Sequence, residues 1–193
     1  MDDLEQTRRT ALRLIAAGAV TTAGTGVASA SDGDELPDDG YAHHVIPEDL
    51  YVALLTPQEG VETKAGGFAA FQVREEAVTF ALAVSNVENA FMTHIHETEV
   101  LGPIAVWLHD VETQGEELVD GQFSGLLDAG TITDETIAAG RAEGAETQTV
   151  VQLVELMDAG EAYVNLHTEA NPDGEIAGRI REFSWEHVQS MHR

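Results

Sequence analysis

Phe-Met-Thr-His-Ile-His-Glu-Thr-Glu-Val-Leu-Gly-Pro, residues Phe91–Pro103, decides how the rest of the chain is read. In an extended chain successive side chains alternate faces, so His94 and His96 project to one side and Ile95 to the other. A second stretch, Ala-Tyr-Val-Asn-Leu-His-Thr at Ala162–Thr168, places Val164 and Leu166 on one face and Tyr163, Asn165 and His167 on the opposite one. The pattern predicts two strands that each present imidazole from one face, and together a three-imidazole site.

The flanking segments carry the same period of two. Tyr51–Thr56 reads as a short strand ended by Pro57, and Gly66–Arg74 sets Phe68, Ala70 and Gln72 against Ala69, Phe71 and Val73. Val78–Val84 puts Val78, Phe80, Leu82 and Val84 on one face, and Ile104–His109 turns Ile104, Val106 and Leu108 inward. Gln122–Leu127 is a further strand. Thr133 caps a helical turn opened by Asp134 and Glu135, and Thr147 or Thr149 starts a second helix. In that helix Val150, Leu153, Val154 and Met157 follow helical spacing, and Gly160 stops it. A turn at Asn171–Gly174 leads into a last strand, Glu175–Phe183. The expectation is an all-β fold of six to eight antiparallel strands, a sandwich or barrel, with one or two short helices inserted before the last two strands.

The chain has 193 residues, 35 acidic against 9 basic, for a formal charge of −26. A charge of that size on so short a chain accompanies disorder unless enough apolar surface is available to bury. Here 43% of residues are hydrophobic and alternate cleanly, which predicts a folded domain with a densely acidic surface, as in proteins adapted to high salt. Such a surface repels nucleic acid and anionic membranes, which removes both as partners. Cysteine is absent, which excludes disulfides, thiolate ligands and a cysteine nucleophile.

Residues 1–30 read as an export signal. Thr7-Arg8-Arg9-Thr10-Ala11-Leu12-Arg13 resembles the twin-arginine motif, a weakly apolar stretch runs from Leu14 to Val27, and Ala28-Ser29-Ala30 supplies a cleavage site. That stretch falls short of the roughly 20 strongly apolar residues a membrane span needs, so cleavage is expected and no span after it. Three bases and three acids lie before the cleavage point, so the mature chain keeps a charge of −26. Residues 31–48 follow as an acidic, disordered linker, then the domain at 49–184 and a short tail at 185–193.

Four motifs in order carry a family resemblance: Thr93-His94-Ile95-His96; Gly102–Leu108, beginning Gly-Pro-Ile; Gly160–Thr168, containing Tyr-Val-Asn-Leu-His-Thr; and Asn171–Gly178, containing Pro-Asp-Gly-Glu-Ile. Together they resemble the CHRD domain, first named from chordin and widespread in secreted microbial proteins. The resemblance covers about residues 49–184 and implies an immunoglobulin-like β-sandwich or barrel with no established catalytic role. Ala177 stands where the family usually has arginine, and Arg179 where glutamine is usual. The acidic composition and the signal resemble those of halophilic archaea.

His94, His96 and His167 are the candidate metal ligands, because imidazole suits copper and zinc and a three-histidine set leaves one position open. His109, on the same strand face as Trp107, is the candidate for a fourth ligand or an outer-shell partner. The alternative role is structural, with the imidazoles bonded to backbone carbonyls or to acids such as Glu97 and Glu99. His43, His44, His187 and His192 read as solvated. The carboxylates form no recognisable acid–base pair, and no nucleophile elbow or phosphate loop is present.

Three function classes follow. The first is an extracellular or cell-surface, non-catalytic module binding a protein or surface partner, with copper or zinc in a three-histidine site. The second is a metal-dependent redox enzyme resembling copper-zinc superoxide dismutase, whose copper pair His94-Ile95-His96 is similar to. The third is a purely structural cell-envelope component.

Overall fold

In the computed structural model, residues 50–110, 118–140 and 144–184 are described. The export signal, the acidic linker, Trp185 and the histidines at 43, 44, 187 and 192 lie outside them. Among the described residues eight strands form: β1 (Leu50–Pro57), β2 (Gly66–Arg74), β3 (Ala77–Glu97), β4 (Ile104–Asp110), β5 (Val119–Ile132), β6 (Ala162–Thr168), β7 (Asn171–Arg179) and β8 (Arg181–Glu182). Two short helices, α1 (Asp134–Gly140) and α2 (Val150–Asp158), fall between β5 and β6.

Antiparallel pairings run β1–β2–β3–β6–β7 and back to β1, closing a five-stranded barrel. β4 and β5 pair with β3 outside that ring, and β8 pairs with β1. β3 makes closure feasible because it serves as two strands. Its first part pairs with β2 and β5, and its last part, from Ala90, with β6 and β4.

The change of partners falls at Asn86 and Asn89, whose φ angles are +55° and +52°. Asparagine enters this left-handed region more readily than most residues, so the strand bends without ending. The bend is tied down from both sides. Asn89 Oδ1 accepts from Gly121 N at 2.7 Å, its Nδ2 donates to Glu169 at 2.8 Å, and Asn86 N donates to Ser124 Oγ at 2.9 Å.

Three expectations need correction. Val78–Val84 and the histidine strand are one bent strand rather than two. The turn predicted at Asn171–Gly174 lies just before it, at 169–170, and Asn171–Gly174 already belong to β7. The predicted last strand, Glu175–Phe183, is interrupted after Arg179 and resumes as β8. The β5 strand is also longer at both ends than Gln122–Leu127.

The barrel interior holds Leu55, Phe71, Phe80, Leu82, Ile95, Leu166 and Ile176, and α2 closes it with Val150, Leu153 and Met157. Full burial of such side chains contributes about 1.5–3 kcal/mol each before chain entropy is counted. Thr149 is the N-cap of α2, accepting from Gln152 N at 3.3 Å, and Gly160, at φ +67°, follows the C-cap. Thr133 Oγ1 accepts from Thr136 N at 3.3 Å, as its predicted capping role requires. Among the described residues, no helix is long and apolar enough to cross a membrane.

Candidate metal centre

Ile95 points into the barrel and is fully buried there, so alternation sends His94 and His96 to the outer face of β3. On the neighbouring strand β6, Asn165 sits opposite His94, Tyr163 opposite His96, and His167 opposite Met92. This register brings His167 to the same cluster from the next strand. The three imidazoles remain buried on that face, with only 2%, 6% and 6% of His94, His96 and His167 exposed.

The ring nitrogens converge. His94 Nε2 lies 2.8 Å from His96 Nε2 and 3.2 Å from His167 Nε2. One nitrogen from each ring falls within 4.8 Å of the other two. The three-imidazole grouping expected from the two histidine-bearing strands is thus present, with His94 and His96 the closest pair. Metal–nitrogen bonds of about 2.0–2.1 Å imply nitrogens about 3.3–3.5 Å apart, so that pair opens by about half an ångström to share an ion.

Backbone carbonyls set the tautomers. His96 Nδ1 meets Gly102 O at 2.5 Å, and His167 Nδ1 meets Pro172 O at 2.8 Å. A carbonyl only accepts, so each Nδ1 carries the proton and each Nε2 turns a lone pair toward His94. His94 Nε2 carries at most one proton and can donate to only one of those lone pairs at a time. Its own Nδ1 is buried without a hydrogen-bond partner. The cluster therefore has more lone pairs than protons to match them, and a cation bound by all three nitrogens satisfies them together.

Burial first, then the neighbouring His96 and His167, push the His94 pKa down to about 2. Burial also dominates the lowering at His96 and His167, with the carbonyls of Gly102 and Pro172 acting in the opposite direction. All three rings are thus neutral at neutral pH, the state in which imidazole can ligate.

The surrounding walls are aromatic. The Trp107 ring meets His94 edge-on with centroids 5.0 Å apart, and Phe91 lies 6.3 Å from His167. Gly140 of α1 abuts Trp107, where a Cβ would come within 2.8 Å of the indole. His109 is buried on β4 opposite Thr93 and lies outside the grouping of three nitrogens.

The structural alternative named carbonyls or acids as partners of the rings. Carbonyls take that role, and Glu97 does not. Its carboxylate accepts instead from Glu146 N at 2.5 Å, Thr147 N at 3.0 Å and Thr147 Oγ1 at 2.6 Å, fastening the end of β3 to the segment before α2. Gly102 and Pro172 were missed as orienting groups because backbone acceptors leave no side-chain signal. Arg179, standing at the family's glutamine position, lies over the Tyr163 ring at 4.9 Å and donates to its hydroxyl.

A closed antiparallel barrel with a buried histidine cluster on one outer face defines a small β-module equipped to hold a metal ion. Residues 51–180 match the CHRD domain family model, and the chain belongs to that family. Comparisons with curated proteins and with solved structures gave no match.

Proposed function

We propose that the chain is an exported, non-catalytic binding module that holds one copper or zinc ion through His94, His96 and His167. The observation that carries this reading is the convergence of three neutral, buried imidazole nitrogens, two of them fixed as lone-pair donors by backbone carbonyls. Copper and zinc are the ions such a donor set suits. A bound ion supplies a cross-link between β3 and β6 and a fixed positive charge beneath Trp107. Its binding energy adds to the stability of the folded module, since the unfolded chain has no assembled site. The twin-arginine motif at Arg8-Arg9 supports export in the folded state, and the −26 charge supports a salt-rich destination.

Metal analysis of protein exported by its native route, followed by titration, tests the reading. One ion per chain, lost in His94→Ala and His167→Ala and kept in His187→Ala, is the expected result. A chain that binds no ion is left with the structural role alone, and metal-dependent superoxide turnover refutes the non-catalytic reading.

A further inference from the structure

The ligand set is neutral. The grouping of three nitrogens contains no carboxylate among the described residues. The acid next to His96, Glu97, has both oxygens engaged by Glu146 and Thr147. Asp173 acts on His167 electrostatically but is exposed on the solvent side. The rings are buried against Trp107 and Phe91, so an ion held by them loses water and gains no anionic ligand.

Desolvation energy grows with the square of the charge. In the same cavity a dication therefore loses about four times the hydration energy that a monocation does. A carboxylate or thiolate ligand would offset that difference more fully than three neutral imidazoles do. Imidazole is a ligand for copper as well as for zinc, so the donor atoms themselves admit either ion and the charge decides between them.

Resting on the metal reading above, the geometry points to monovalent copper, Cu(I), as the ion this site selects over Zn(II) and Cu(II). Asn165 is an uncharged polar residue set directly beside the ligands. It pairs with His94 across β3 and β6, is fully buried, accepts from Gln58 Nε2 at 2.7 Å through Oδ1, and leaves Nδ2 without a partner. An aspartate there keeps the accepting oxygen and adds a negative charge beside the ligands.

The test uses the full chain under anaerobic conditions. Cu(I) affinity is measured by competition with a chromophoric Cu(I) chelator, and Zn(II) and Cu(II) affinities by competition with chelators for those ions. Wild-type protein is expected to hold Cu(I) more tightly than Zn(II) by at least about a hundredfold in Kd. Asn165→Asp is expected to shrink that ratio by at least about tenfold while its circular dichroism stays that of wild type. Zn(II) or Cu(II) bound as tightly as Cu(I) overturns the inference and leaves the metal site standing. A ratio unchanged in a folded Asn165→Asp overturns the charge argument, and failure to bind any of the three ions overturns the metal site itself.

Discussion

Gly102→Ala is a small change with two consequences that can be measured separately. A Cβ built at Gly102 would lie 2.0 Å from the carbonyl oxygen of Glu97 and 3.1 Å from that of Glu99. Ordinary contact begins at 3.4 Å, so the backbone must yield by about 1.4 Å at the first of these to restore it. The loop has little freedom to do so. Glu97 N donates to Pro103 O and Gly102 N to Glu99 O, each at 3.0 Å, and Thr98 is already held at φ +70°. Moving Gly102 O withdraws the acceptor from His96 Nδ1, leaving a buried N–H unsatisfied at a cost of about 1–3 kcal/mol. The same carbonyl fixes the His96 tautomer, and losing such an orienting bond weakens metal affinity about 10- to 100-fold. Denaturant unfolding of the metal-free protein reads the first effect, and competitive metal titration reads the second. Wild-type values for both would show that the loop does not orient His96.

Three further outcomes can be measured, one from the buried histidines and two from the sequence. Neutral, buried histidines favour folding only while the unfolded chain is also neutral, so stability is complete above about pH 6.5 and falls as pH drops below it. With the folded pKa of His94 at about 2, that residue alone removes about 2 kcal/mol by pH 5 in the metal-free protein, and a flat unfolding free energy between pH 7 and 5 would contradict this. Self-repulsion of −26 charges is screened over about 3 Å at 1 M salt against about 10 Å at 0.1 M, so the melting temperature should climb steeply across that range; an unchanged value refutes the high-salt reading. Replacing Arg8-Arg9 with Lys-Lys should leave the protein inside the cell, and unaltered secretion of that variant refutes the twin-arginine reading.

The histidine pair was legible because strand alternation has a period of two. Once Ile95 belongs to the core, His94 and His96 have nowhere to go but the other face, and Val164 and Leu166 settle His167 in the same way. The bend in β3 was not legible. The strand read from sequence stops at Val84, whereas the left-handed conformations of Asn86 and Asn89 let a single strand continue and serve two halves of the barrel. The turn before β7 was misplaced by the pull of Asn-Pro-Asp-Gly, whose residues instead form the start of the strand. Gly174, at φ +118°, accommodates the Gln58 and Asn165 side chains where a Cβ would clash with both. The roles of Gly102 and Pro172 depend on backbone oxygens brought near by loop geometry, for which sequence has no code. Trp107 was paired with His109 by strand face, but contact with His94 gives it its place beside the site.

The central claim is that one ion is held by three imidazoles rather than by the acidic surface. X-ray absorption at the metal edge, on the full chain loaded with a single equivalent, measures this directly. The account predicts three nitrogen scatterers at about 2.0 Å with the outer-ring pattern of imidazole. A shell dominated by carboxylate oxygen, unchanged in His94→Ala, would contradict it.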